Sequence, residues 1–412
     1  MKQSILINLV IGSIFVACYG YQALYVLAVL FKREPVHVEE KEHRFAVLVA
    51  ARNEENVIGH LIESIQKQTY DSKNISIFVV ADNCTDDTAK IARKYGATVY
   101  ERFDLDEVGK GYAIDFLLSK IKKDQTVDGY FVFDADNILD ENYIKEMNKT
   151  FSAGYDLITS YRNSKNYGDN WISAGYACWF LWESAFINRG RMLLKTSCAI
   201  SGTGFFFSSR IIEKYDGWRF FLLTEDIQFT VDNVLAGEKV GYCHQAILYD
   251  EQPVTMSQSF KQRMRWAKGF FQVFHRYGFD LIKGVFKGST SCFDLLMILS
   301  PTILLTILMI VTNIGALVVA DFTKTQDALI MGIMKTTCLN VYINFVLIGL
   351  FTTLTQWRQI HTTPLKKLMY VFTFPLYVLS YVPIAFIALF RKVEWQPIEH
   401  SRAKTLAEIK EG

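Results

Sequence analysis

Phe131-Val132-Phe133-Asp134-Ala135-Asp136 is an apolar run that ends on two carboxylates separated by a single residue. Read as a strand, it sends successive side chains to opposite faces, so Asp134 and Asp136 share one face and can address one site. Hard cations such as Mg²⁺ take oxygen ligands, commonly one or two protein carboxylates, with water and substrate phosphate in the remaining positions. Two carboxylates at a strand end therefore point to a nucleotide-phosphate site, although a solvated strand end looks the same. What surrounds the stretch decides between the two.

Upstream, the apolar run Phe45 to Ala51 leads into Arg52-Asn53-Glu54-Glu55 and then a helical pattern at Val57, Ile58, Leu61, Ile62 and Ile65. A second run, Ile75 to Ala81, ends on Asp82-Asn83-Cys84-Thr85-Asp86-Asp87 before helical spacing resumes at Ala89, Ile91 and Ala92. Repeated strand, turn and helix predict a parallel sheet covered by helices. Such sheets bind ligands beyond the carboxyl ends of their strands, where the polar clusters at 52–55, 82–87 and 134–136 all fall. Asp86 and Asp87 suit capping of the following helix, which leaves Asp82 as the better ligand candidate. Val108-Gly109-Lys110-Gly111 opens a helix expected over Ala113 to Lys122 and offers amides and an ammonium to an anion. It lacks the spacing of a Walker loop, and a plain turn with a solvated lysine is the competing reading.

Downstream, Ser201-Gly202-Thr203-Gly204 precedes an aromatic run and can line a pocket with backbone. Thr224-Glu225-Asp226 puts two acids at a helix start, where capping explains one well and two less well. Gln262-Arg263-Met264-Arg265-Trp266 lies in a stretch, Ser257 to Gly288, where Lys261, Lys268, Arg276, Lys283 and Lys287 interleave with Phe260, Phe270, Phe271, Phe274, Phe279 and Phe286. That pattern describes an amphipathic helix in a membrane surface.

The 412 residues are 50% hydrophobic and 14% aromatic, with a net charge of +2 that gives no sign of nucleic-acid affinity. Four uncharged apolar windows, Ser4 to Phe31, Leu295 to Ala320, Thr336 to Trp357 and Leu368 to Phe390, each meet the roughly 20-residue length of a membrane crossing. Lys32, Arg33, Lys41 and Arg44 follow the first window and Lys2 alone precedes it, which places the intervening domain in the cytoplasm. Counting crossings then puts the tail outside, yet the tail carries Arg391, Lys392, Arg402, Lys404 and Lys410. Pro375 and Pro383 are positioned to break the last window, and a cytoplasmic tail is expected. The seven cysteines show no paired spacing, which argues against zinc and against a disulfide framework.

Taken in order, Asp82, Lys110, Asp134-Ala135-Asp136, Thr224-Glu225-Asp226 and Gln262-x-x-Arg265-Trp266 resemble the membrane-integrated family 2 glycosyltransferases, the group of cellulose, hyaluronan, chitin and poly-N-acetylglucosamine synthases. The resemblance implies an α/β GT-A (Rossmann-like) cytoplasmic domain plus an α-helical transmembrane region. It divides the chain into an anchor and linker at 1–40, a GT-A domain at 41–253, amphipathic interfacial helices at 254–290, transmembrane helices at 291–392 and a tail at 393–412. It implies Asp226 as catalytic base with Glu225 beside it. Asp82, Glu54, Lys110, Asp134, Gln262 and Arg265 are assigned to the donor, and Trp266, Gly202 and Thr203 to the acceptor. Asp136, with Asp134, is assigned to Mg²⁺ or Mn²⁺. Ala81 replaces the first of two aspartates common at the first site, and no Phe-x-Val-Thr-x-Lys segment follows Trp266.

The implied chemistry is inverting transfer from a nucleotide-sugar, UDP-glucose or UDP-N-acetylglucosamine, by a multi-pass enzyme of the plasma membrane. Processive synthesis of a β-linked polysaccharide is the leading expectation, with accessory export subunits as possible partners. Transfer of one sugar to a lipid or polyprenyl phosphate is the alternative. A silent, membrane-anchored binding protein is a third reading, set against the presence of both Asp136 and Asp226. Tyr161, Cys178, Trp179, Thr203 and Phe205 are candidates for lining the sugar pocket, and Trp395-Gln396-Pro397-Ile398-Glu399-His400 has no role read from sequence.

Overall fold

The computed structural model describes residues 2–32, 40–121, 127–299, 301–323, 327–398, 400 and 402–411. Arg33, Lys122 and Glu399, on which expectations above fall, lie outside the described residues. The strands are β1 (Phe45–Ala51), β2 (Ile75–Asp82), β3 (Thr98–Arg102), β4 (Gly129–Asp134), β5 (Ile138–Leu139), β6 (Leu157–Ser164), β7 (Phe205–Ser208) and β8 (Val240–Asp250). They form one eight-stranded sheet in the order β3-β2-β1-β4-β7-β6-β8-β5.

β1 is apolar throughout because helices cover both faces of the sheet. Phe45, Val47 and Val49 pack with Ile58, Leu61, Ile62 and Ile65 of the helix Ile58–Gln66. Ala46 and Leu48 pack with Ala113, Ile114 and Leu117 of the helix Lys110–Ile121. β1, β2 and β4 are parallel, as expected, and a further parallel strand that the apolar pattern did not mark, β3, joins them at the edge. The other half corrects the expectation of a parallel sheet, since β7 runs antiparallel to both β4 and β6 while β8 is parallel to β6. The loop before β7 reverses the chain with left-handed glycines, φ 77° at Gly202 and 65° at Gly204. The result is a mixed GT-A-like sheet whose central strand ends converge on one cleft.

The basic aromatic stretch is one 31-residue helix, Met256–Phe286, rather than several. It buries Ala267, Gly269 and Val273 and exposes Phe279 (71%) and Phe286 (88%). Among the described residues three helices are long and apolar enough to cross a membrane, Asn8–Phe31, Lys335–Thr355 and Pro364–Phe390. The second apolar window is divided between helices Thr290–Leu299 and Pro301–Thr323. The last is broken at Ser380, between the two prolines, and packs on Trp171–Trp182 and Met256–Phe286. A buried cluster ties the anchor to the α/β domain: Asp294 pairs with Arg191 at 2.5 Å and accepts from the hydroxyls of Tyr21 (2.5 Å) and Tyr25 (3.0 Å).

Beyond Phe390 the chain returns to the sheet. The helix Leu406–Glu411 buries Ile409 against Ile138 and Tyr249, and Lys410 pairs with Asp140 at 2.9 Å. Arg402 pairs with Asp169 at 3.1 Å. The basic tail therefore lies with the α/β domain, where its charges find carboxylates.

Candidate active site

The strand ends place the first carboxylates. β1 and β4 are in register at Ala50 and Asp134, and β2 ends on Asp82 opposite Arg102 of β3. Asp134 and Asp136 do not share a strand face, which corrects the reading from extended geometry. The strand stops at Asp134, whose N–H bonds Asn137 Oδ1 (3.2 Å) across a turn, and Asp136 swings into the interior. Asp134 keeps 38% of its side chain exposed, whereas Asp136 is 4% exposed and accepts from the Glu251 N–H at 2.7 Å. Burial alone would push Asp136 up, but His400, Lys165, the Glu251 amide and Arg162 outweigh it and hold the carboxylate below its usual range.

Lys110 donates to Asp134 Oδ1 at 2.5 Å and to the Gly202 carbonyl at 2.8 Å, so it spans the cleft instead of standing in a solvated turn. Gly111 serves packing and not an anion, because a Cβ there would sit 2.1 Å from the Phe220 carbonyl. Asp82 is buried and paired with Arg102 Nη1 at 2.9 Å, so a nucleotide would meet the pair rather than a lone carboxylate. Of the two expected caps only Asp86 acts as one, accepting from Thr88 N–H (3.1 Å), while the Asp87 carboxylate makes no capping bond.

The loop Ser201–Thr203 is the hub. Its Gly202 N–H donates to Asp226 Oδ2 at 2.6 Å and the Thr203 hydroxyl accepts from the Asp134 N–H at 2.9 Å. The Ser201 carbonyl accepts from Arg162 at 3.1 Å. Gly202 and Thr203, expected at the acceptor, thus hold the acids in place. Gly204 has no room for a side chain, since a Cβ would lie 1.8 Å from Leu248.

Glu225 and Asp226 begin the helix Glu225–Leu235 and are both buried. Burial first, and then the charge of Asp226, pushes Glu225 up to about 7, against the pull of Lys110 and Arg265. Asp226 is raised as well, by burial, with the Gly202 amide opposing. Arg265 therefore faces the acid pair from the long helix. Two buried side-chain oxygens of these motifs, Thr224 Oγ1 and Gln262 Oε1, have no hydrogen-bond partner within the protein. Trp266 packs edge-on against Tyr176 (5.7 Å) and Phe180 (6.1 Å). Of the expected sugar-pocket residues, Tyr161, Cys178 and Phe205 are core residues at 1%, 3% and 0% exposure, and Trp179 is 41% exposed.

The structure adds residues that sequence reading missed. Arg162, at the end of β6, pairs with Asp250 and stacks on Phe180 at 3.7 Å. Glu183 is half-buried beside Ser201, whose hydroxyl donates to it at 3.4 Å, on a π-helical turn Glu183–Asn188. His400 bonds both oxygens of Glu54, at 2.9 and 3.1 Å. Strand-end position was an available signal for Arg162; none was available for His400.

Among the described residues no cluster of three or more His, Cys, Asp or Glu side chains is arranged to hold a metal by itself. The donor chemistry nevertheless fits a hard cation shared with a diphosphate: the Asp134 carboxylate is 38% exposed and that of Asp136 is held below its usual range, so both offer charged oxygens.

Carboxylates and cations gathered at the end of a mixed sheet fit a glycosyltransferase, and the chain belongs to the glycosyltransferase-like family 2, whose model matches residues 43–269. It is 26% identical over 250 residues to the probable glycosyltransferase YdaM of Bacillus subtilis (strain 168), covering 55% of each chain. It is 25% identical over 296 residues to the beta-monoglucosyldiacylglycerol synthase of Nostoc sp. (strain PCC 7120 / SAG 25.82 / UTEX 2576), covering 69% of this chain and 62% of that one. A shorter match, 46% identical over 66 residues and 16% of each chain, is to the 4,4'-diaponeurosporenoate glycosyltransferase of Staphylococcus aureus (strain USA300). The chain thus spans roughly half to three fifths of the longer-matched relatives. In fold it resembles the mannosyltransferase PcManGT from Pyrobaculum calidifontis, solved with GDP-Man and Mn2+, with a TM-score of 0.57 at 14% identity over 92% of this chain and 98% of that one.

Proposed function

We propose that this glycosyltransferase is a membrane-seated, inverting hexosyltransferase that moves one sugar from UDP-glucose or UDP-N-acetylglucosamine to the hydroxyl of a lipid acceptor. The observation that carries the acceptor class is the seat of the base. Thr224 packs on Gly269 of the amphipathic helix so closely that a Cβ at Gly269 would lie 2.5 Å from it, and Leu223 N–H bonds Gln272 of the same helix at 3.2 Å. The acids therefore rest on the same helix that exposes Phe279 and Phe286 about 15 and 25 Å farther along its axis. Relatives named for diacylglycerol and carotenoid-acid glycosides support a lipid acceptor.

In this reading Asp226 takes the proton of the acceptor hydroxyl as its oxygen attacks the anomeric carbon. The bond to the diphosphate oxygen breaks on the opposite face, which inverts the centre and releases the nucleoside diphosphate. Lys110, Arg265 and Gln262 hold the departing diphosphate and the donor, and Glu54 and Asp82 orient the nucleotide. Asp136 and Asp134 would hold Mg²⁺ or Mn²⁺, which would supply positive charge to the leaving group. The domain at 41–253 and the tail face the cytoplasm. Because tail and domain share a side, the apolar segments between them cross an even number of times, a count that Lys335–Thr355 and Pro364–Phe390 meet together.

Trp266, edge-on to Tyr176 and Phe180, offers a growing glycan a ring to stack on, so processive synthesis of a β-linked polysaccharide is the second reading. Protein reconstituted in lipid with Mn²⁺ and labelled donor separates the two. Label extracted into organic solvent as one hexose per lipid supports lipid transfer. Label in long polymer supports the synthase, and no turnover of either donor refutes both donor assignments.

A further inference from the structure

The segment that leaves the apolar helices passes the carboxylate of Glu54, assigned above to the donor, on its way to the helix Leu406–Glu411. Trp395 lies under the Arg52 guanidinium at 5.4 Å, just past the end of β1. Five residues on, His400 Nδ1 reaches both carboxylate oxygens of Glu54, at 2.9 and 3.1 Å. The Arg402 N–H then donates to Glu251 Oε2 at 2.9 Å, and the Glu251 N–H donates to Asp136 Oδ2 at 2.7 Å. Lys165 closes the seam, with its ammonium 3.3 Å from the Arg402 carbonyl and 3.7 Å from Glu251. One short segment thus touches Glu54 directly and Asp136 through one intermediate.

Anchoring alone does not require this arrangement. Ile409 in its apolar pocket, Lys410 on Asp140 and Arg402 on Asp169 already fasten the tail to the domain. His400 adds no apolar contact of that kind; its imidazole is spent on a carboxylate that opens the donor cleft. A glutamate left without this partner in a buried position would turn towards whatever donor it finds, and the nucleotide would have to reorient it on binding.

We propose that His400 is a positioning residue of the donor site, holding the Glu54 carboxylate in the orientation that receives the nucleotide of the sugar donor. The inference rests on the assignment of this cleft to a nucleotide-sugar. It makes the tail a part of the binding site and so links donor affinity to the placement of the apolar helices that precede it.

The test uses the full chain in lipid nanodiscs, with UDP plus Mn²⁺ titrated by calorimetry and donor KM and kcat measured separately. His400→Ala raises the UDP Kd and the donor KM about tenfold or more, the scale of one hydrogen bond to a charged group, with kcat at saturating donor changed less than about threefold. His400→Asn, whose amide can replace Nδ1–H, recovers most of the affinity. The cycle with Glu54→Gln is non-additive: the double variant binds UDP no more weakly than the worse single one. Unchanged UDP affinity in His400→Ala, or additive losses in the cycle, overturns the proposal and leaves the tail a brace. If His400→Ala does not fold, His400→Asn and the Glu54→Gln single variant carry the comparison, and equal UDP affinity in all three chains overturns it. Wild-type protein that binds UDP but transfers no sugar refutes the proposed function while leaving this inference testable. Wild-type protein that binds no UDP refutes both.

Discussion

Asp226→Asn separates chemistry from architecture in one substitution. The asparagine oxygen still accepts the 2.6 Å bond from the Gly202 N–H, so the loop that also carries Thr203 stays in place. What is lost is a group able to take a proton, and kcat falls about 10²- to 10⁴-fold with the UDP affinity largely retained. The same change removes the charge that, after burial, does most to raise Glu225. In the wild-type chain burial and the neighbouring Asp226 push Glu225 up from its ordinary 4.5 to about 7. The sign follows from proton counting. Between those two values the folded chain keeps a proton that the unfolded chain releases, so stability is greatest at the acid end and is lost as pH rises through this window. Asp226→Asn brings Glu225 down, so the decline becomes shallower and the variant gains on the wild type towards neutral pH. Thermal unfolding midpoints from about pH 5 to pH 8, read beside kcat, measure both effects. A wild-type rate in Asp226→Asn removes Asp226 as the base, and an equally steep decline removes the mutual repulsion of the two acids.

Three other perturbations address separate parts of the account. Asp136→Ala abolishes the metal-dependent part of UDP binding, and calorimetry with and without Mn²⁺ that shows equal affinity in variant and wild type contradicts its role as a ligand. Asp294→Ala strands the buried Arg191 guanidinium and the Tyr21 and Tyr25 hydroxyls, costing about 3–5 kcal/mol. It appears as a lower unfolding midpoint with donor KM unchanged. Gly204→Ala forces a side chain against Leu248 and Ser160 at a φ of 65°, and yields little folded protein or a loss of more than about 2 kcal/mol in denaturant unfolding.

β1, β2 and β4 were legible because they read as continuous apolar runs, buried on both faces in β1, β4 and the carboxyl half of β2, with the polar clusters at 52–55, 82–87 and 134–136 marking their ends, whereas the edge strand β3, half-exposed and polar, was not. The antiparallel return of β7 was not, since Phe205–Ser208 carries no sign of direction and the reversal is written only in the φ of Gly202 and Gly204. Spacing located Asp134 and Asp136 but misjudged their relation, because the strand ends at the first of them and a turn separates the two. Gly111 illustrates a different failure: a glycine beside a lysine at a helix start suits an anion and a close backbone contact equally well, and the Phe220 carbonyl settles it. His400 and Glu54 are 346 residues apart, a contact that no local pattern encodes. The basic charge of the tail did carry information, since Arg402 and Lys410 find Asp169 and Asp140 on the domain.

The most direct test of the central claim is mass spectrometry and anomeric NMR of the organic-soluble product made from labelled UDP-glucose or UDP-N-acetylglucosamine by the wild-type and Asp226→Asn proteins in lipid nanodiscs with Mn²⁺. The account predicts a lipid one sugar heavier, β-linked, formed by the wild type and nearly absent with the variant. An α-linked product, or equal yields from the two proteins, would contradict it.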